Sequence, residues 1–400
     1  MYPKLLLSLI SLTFWIILII PHQSYSQSIE KFPKDSTAFI ETLSQFLENR
    51  ISKSNEVMFE KFIHYWESDK FTHEKKDTII SMANVLLGHG ASREPHFTTM
   101  LGFMIGINNT DFENQYFDTW SKGFHHLLHK KKRKLKKITN YFQFTLHFVQ
   151  SGSLYASRTR TWYANAENYR FYYDTTLKIE YPQTHIKCKL RNDSIQIFKT
   201  SGVYYPFQRR WHGKGGKVTW ERAGYSPDQV YAQLNAYSID MSKATYQADS
   251  VKFTNKLYYD KPILGSLEDQ LIHIIKPQDA IYPVFNSYQK VFKLINIYDN
   301  IDYIGGFQMK GAQFIGTGGA GRNAKVRVHR NGKVFMTARS ETFILEKKRA
   351  LSQSTSITIH LEEDSIYHMG LLFTYNVNNQ NIELNSTDKI LSKSVYYNTY

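Results

Sequence analysis

The spacing of apolar and polar positions changes once along this chain. In the first part apolar residues recur every three or four positions. Phe39, Ile40, Leu43, Phe46, Leu47 and Ile51 form one such stripe behind Asp35 and Ser36, residue types that cap helices. Met58, Phe59, Phe62, Ile63 and Trp66 form a second. Thr72 opens a third carrying Ile79, Ile80, Met82, Ala83, Leu86 and Leu87, with Gly88 as its stop. Further helices are expected near 97–106, 112–129 and 134–150. The short connections predict that consecutive helices pack antiparallel, as an α-hairpin array or a small bundle. No tetratricopeptide signature repeats through them.

After about Ser151 the period becomes two. Val230, Ala232, Leu234 and Ala236 alternate with Tyr231, Gln233, Asn235 and Tyr237, and Val251 with Phe253 and Ile357 with Ile359 and Leu361 do likewise. Val326 and Val328 run through Arg330-Asn331-Gly332-Lys333 to Val334 and Met336, and Asn-Gly between alternating strands signals a hairpin. Residues 284–297 are the best remaining helical segment. Asp193-Ser194-Ile195 recurs as Asp249-Ser250-Val251 and Asp364-Ser365-Ile366, which reads either as a weak repeat or as a common turn-to-strand transition. The fold class expected is a segregated α+β protein. A helical array over 28–150 precedes a mostly β repeat domain over 151–400, a β-solenoid or an extended β-sandwich. The final Val395-Tyr396-Tyr397 reads as an unfinished strand, so the β domain is expected to continue in a longer parent chain.

The N-terminus adds an address. Lys4, the apolar run Leu5–Ile20 and Ser24-Tyr25-Ser26 match the three parts of a secretory signal, so residues 1–26 read as a signal peptide and the mature chain as starting near Gln27. An uncleaved anchor is the alternative. No Cys stands directly after the cleavage point, so a lipoprotein anchor is not indicated, and no later apolar run is long enough to span a bilayer, so the mature chain is expected to hold no transmembrane segment. The expected location is the periplasm or cell surface. The single Cys188 excludes an intrachain disulfide and a Cys-based metal site. A formal net charge of +15 points to polyanions or to a solubilising lysine surface. For an exported chain the polyanion is an envelope glycan or lipid headgroup and not nucleic acid.

Two cationic segments are candidate contacts. Lys130, Lys131, Lys132, Arg133, Lys134, Lys136 and Lys137 must stay solvated, at a helix end or against an anionic surface. Arg209, Arg210, Trp211, His212 and Lys214, followed by Gly215-Gly216, combine cations with an aromatic plate, as a glycan-binding loop would; the alternative is a cationic turn with Trp211 packed on a sheet edge. His125 and His129 share the spacing of two helical metal ligands but have no carboxylate nearby, so no metal is expected. Gly316-Thr317-Gly318-Gly319-Ala320-Gly321-Arg322 lacks the Lys-Ser/Thr ending and following helix of a phosphate loop. Nothing calls for a cofactor, no catalytic residue is assigned, and no familiar nucleophile or metalloprotease motif is present.

Ser24-Tyr25-Ser26 before Gln27, the stretch Gly213-Lys214-Gly215-Gly216-Lys217-Val218-Thr219-Trp220-Glu221-Arg222-Ala223-Gly224 and the later Gly305-Gly306-Phe307-Gln308-Met309-Lys310-Gly311-Ala312 resemble large, uncharacterised exported proteins of Bacteroidota. That resemblance covers most of the mature chain. It implies export and a longer parent protein, and supplies no activity. The function expected is an envelope scaffold or binding protein with a polymer, lipid or protein partner. Two rivals are a carbohydrate-active enzyme on a β-helix, with carboxylates such as Asp240, Asp302 and Glu362 in one groove, and a lipid-handling β-groove.

Overall fold

A computed structural model describes residues 29–68, 70–129, 135–259, 261–272, 276–318, 322–386 and 395–398. The expected signal peptide, residues 1–26, and the cationic residues Lys130, Lys131, Lys132, Arg133 and Lys134 lie outside the described residues. Six α-helices come first: α1 (Ser36–Leu47), α2 (Lys53–Glu67), α3 (His73–Gly88), α4 (Thr98–Ile107), α5 (Asp111–His129) and α6 (Leu135–Ser151). Every described strand follows, from Ser153 onward. The fold is therefore a segregated α+β one, and the change of period in the sequence marks where helix gives way to strand. Compactness divides the chain elsewhere. One unit ends at Asn108 and the second runs from Asn109, so α5 and α6 belong with the strands.

In the first unit Asp35 caps α1 by accepting from the amides of Thr37 and Ala38 at 3.0 and 2.8 Å. The buried stripes meet in an aromatic core, with Phe32 edge-on to Phe39, Phe46 and Phe97, and Phe39 against Trp66 at 5.1 Å. Backbones approach most closely between α2 and α4, and α1 also approaches α3. α1 and α2 also touch, Phe39 against Trp66 and the Trp66 indole N–H donating to Ser36 O at 3.2 Å, so the helices pack as a small bundle and not only as consecutive hairpins. The cause is that Phe97 and the apolar α4 fill the centre, with Met100, Leu101, Phe103 and Met104 all buried.

The second unit packs α5 and α6 on its first strands. Trp120 stacks on Tyr141 at 5.0 Å and donates its indole N–H to Thr145 Oγ1 at 2.8 Å. Phe112 reaches Phe171 of the sheet, and Phe148 reaches Tyr169 just before that strand. All described ladders are antiparallel. Three long hairpins organise them: Leu177–Leu190 with Asp193–Tyr205, Thr245–Asn255 with Ile263–Gln270, and Arg349–His360 with Asp364–Asn376. Each breaks register at a bulge, and positive φ at Lys199, Ser250 and Gly370 marks the bends. On either side of the break a long strand takes a different partner. Thr245–Asn255, for example, pairs with Ala236–Asp240 before the break and with Val230–Gln233 after it. The diverging ladders face one another over a filled core, as where Tyr303 packs 5.6 Å from Phe314 on a different ladder.

Three expectations need correction. Residues 284–297 are two strands, Val284–Ser287 and Phe292–Tyr298, because neighbouring strands offer ladders that outweigh a local helical spacing. The Asp-Ser-apolar triplets are not one structural unit: Asp193 and Asp364 begin strands after turns, whereas Asp249-Ser250 forms a mid-strand bulge. The antiparallel, bulged ladders also lack the parallel rungs of a stacked β-helix among the described residues.

Candidate functional site

A cavity of about 560 Å³ lies where α6 meets the sheet in the second unit. Its helical wall is Lys137, Asn140, Tyr141, Phe144 and His147, a face that recurs every three or four residues. The strand Ser153–Ala156 brings Leu154 and Tyr155. The strand Asp193–Tyr205 and the turn after it bring Tyr204, Pro206, Phe207 and Arg209. Arg209 occupies a left-handed position in that turn, φ 55°, held by its amide donating to Pro206 O at 3.3 Å and its carbonyl accepting from Met241 N at 2.9 Å.

The walls are aromatic and the rim is cationic. Tyr141 lies edge-on to Phe207 at 5.4 Å, and Phe144 lies 5.9 Å from Tyr204. The Arg209 guanidinium sits 5.5 Å from the Tyr155 ring centre. Tyr204 donates to Leu154 O at 2.6 Å, and burial raises its hydroxyl pKa against the opposing charge of Arg209. Lys137 and Arg209 are exposed, and no Asp or Glu is among the described residues lining the cavity. Cations at the rim and rings in the walls are chemically suited to an anionic group carried on an apolar or sugar body. The cavity volume is in the range of small-molecule sites, roughly 300–1,000 Å³.

The two cationic segments thus meet at one place: the last residue of the run at 130–137 and the first of the group at 209–214 share a rim. The rest fall elsewhere. Lys136 is exposed at the start of α6. Arg210–Lys214 is not a loop but a strand, paired on both sides with Asp193–Tyr205 and Ala236–Asp240. Arg210, His212 and Lys214 point outward, while Trp211 is fully buried and donates to Tyr237 Oη at 3.3 Å. Trp211 therefore presents no plate to a sugar. Gly213 serves packing, since a Cβ there would lie 2.3 Å from the Tyr237 ring. Tyr141, Phe144, Tyr155 and Tyr204 were missed as site residues because aromatic residues at these spacings read equally as core.

The remaining motifs do not assemble a catalytic centre. Asp240 accepts from Ser242 in a turn, Asp302 is buried against His329 at 3.1 Å, and Glu362 is exposed in a hairpin turn. None of the three lines this cavity. Strand Gln313–Thr317 precedes the glycine run and strand Ala324–Arg330 follows it. His125 and His129 lie on α5, and no group of three or more metal-ligating side chains occurs among the described residues. No helix among the described residues is long and apolar enough to cross a membrane. No family model, curated protein or solved structure matches the chain.

Proposed function

We propose that this chain is a non-enzymatic binding protein of the cell envelope, exported by its N-terminal signal, and that the cavity beside α6 takes an anionic group attached to an apolar or sugar body. The observation that carries this reading is the convergence of Lys137 and Arg209 over aromatic walls. Two cations at the mouth supply attraction, and the rings exclude water from one side, which strengthens it. A lipid headgroup and a free anionic metabolite share this chemistry. The lipid-groove rival needs an open apolar trough along successive strands, whereas the inward side chains here are packed against each other.

Native mass spectrometry of the mature chain, purified from its own envelope, tests the reading. The expected spectrum holds a retained anionic mass, and Lys137→Gln/Arg209→Gln loses at least nine-tenths of it. A mass that fragments to acyl chains identifies a lipid; one without them identifies a free metabolite. Bare wild-type protein, or equal retention by the double variant, would overturn the proposal.

A further inference from the structure

A second cationic surface lies on the outer face of the sheet and shares no residue with the cavity beside α6. The ladders align one row of side chains across it. Phe198 is opposite Lys217, Lys217 opposite Gln233, Gln233 opposite Lys252, and Lys252 opposite Leu264. The alternate residues Ile197, Val218, Ala232 and Phe253 are buried, so the row points to solvent. His185 extends it, stacked on Phe198 at 4.5 Å. No residue of the row is Asp or Glu, and Asp249 lies exposed beside it at the Ser250 bulge.

Beside the row is a second cavity of about 560 Å³, lined by Lys199, Lys217, Gln233, Asn235, Ser250 and Lys252. Three ammonium groups and two amides with no carboxylate in the lining form an anion-binding set. Lys217 lies 4.5 Å from the Tyr231 ring centre and pairs with Asp228 at 3.5 Å, and Asp228 is 87% exposed, so the pair is weak.

Spacing narrows the ligand. Adjacent strands lie about 4.8 Å apart, comparable to the advance of one ring in an extended pyranose chain. Lys217 and Lys252 are separated by one strand carrying Gln233, so the row offers a cation, an amide and a cation at successive steps. We infer that this face binds a linear polysaccharide carrying an acidic group on alternate sugars. The acidic sugars meet Lys217 and Lys252, the intervening neutral sugar meets Gln233, and Phe198 and Leu264 flank the charged section. A nucleic acid, with a charge on every residue, fits the alternation less well.

Binding of the mature chain to immobilised hyaluronate, which bears a carboxylate on alternate sugars, tests this, with dextran and single-stranded DNA as comparison polymers. Hyaluronate is expected to bind, to weaken as salt rises, and to exceed both comparison polymers. Lys217→Gln/Lys252→Gln should weaken it at least tenfold with an unchanged thermal melt, because both side chains lie on the outer face. Lys137→Gln/Arg209→Gln should leave it unchanged, which separates this site from the cavity beside α6. Equal binding by the Lys217/Lys252 variant, equal binding to dextran, or stronger binding to DNA would each overturn the inference.

Discussion

Arg222 shows how single residues set the electrostatics of the second unit. Its guanidinium lies between two buried carboxylates, 2.8 Å from Asp193 and 2.6 Å from Asp269, and also donates to Gln270 O at 2.8 Å. One cation serves two anions, so the cluster retains an excess negative charge away from water. Burial pushes Asp269 up to about 6 against the pull of Arg222, and the nearby Asp193 adds to the rise. The folded state therefore holds its proton more tightly than the unfolded chain, where the carboxyl keeps its ordinary 3.8. This contribution is fully present below the unfolded value and is lost as pH rises from there through about 6. At about 1.4 kcal/mol per unit, it amounts to at most about 3 kcal/mol. Urea unfolding at stepped pH should show wild-type stability falling relative to Asp269→Asn across that window, then running parallel to it above. Curves parallel throughout would mean that Asp269 is charged in both states.

Among the elements, two glycines of the second unit, Gly305 and Gly316, answer to one bulky neighbour. Tyr303 donates to Gly306 O at 2.6 Å and lies under both Gly305 and Gly316. A Cβ at Gly316 would stand 2.3 Å from the Tyr303 hydroxyl and 2.4 Å from its ring carbon. Overpacking of this kind costs about 1–3 kcal/mol, so Gly316→Ala should lower the urea midpoint correspondingly. Adding Tyr303→Leu should cost less than the two single changes together; strict additivity in a double-mutant cycle would break the link. The same case shows what the sequence can disclose. Helices were legible because each carries a long stripe and a cap, as at Asp35 and Thr72. Alternation and Asn331-Gly332 disclosed strands. The bulges did not show, because Lys199 and Ser250 adopt positive φ without the glycine that usually announces it. Gly316 and Gly213 read as loop residues because the rings requiring them, Tyr303 and Tyr237, come from other strands. The candidate cavity was half legible: its cations stood out as charge clusters, while its aromatic walls and the meeting of Lys137 with Arg209 depend on long-range packing.

At the scale of the molecule, the change of period and the division of packing fall in different places, and this has a consequence for how the chain folds. A boundary drawn at 150/151 would separate α5 and α6 from the strands they cover. Those contacts are apolar and well made: Phe112 edge-on to Phe171 at 5.1 Å, Phe148 to Tyr169 at 5.0 Å, and Tyr141 to Phe207 at 5.4 Å. Tyr116 also donates to Tyr169 O at 2.9 Å. Phe171 and Tyr204 are buried and meet Phe112, Phe148 and Phe144 of these helices, and exposing such rings forfeits roughly 2–3 kcal/mol each. A fragment beginning at Asn109 retains these contacts, whereas one beginning at Gly152 leaves an uncovered aromatic face and removes the helical wall of the cavity. The Asn109 fragment is expected to melt in a single sharp transition by circular dichroism. The Gly152 fragment should bind a hydrophobic dye before heating and melt at least ten degrees lower or without cooperativity, since a stability loss of a few kcal/mol moves the midpoint by about that much. If both fragments melted alike, α5 and α6 would be an appendage to a β domain complete without them, and the cavity would lie on its surface instead of within its fold.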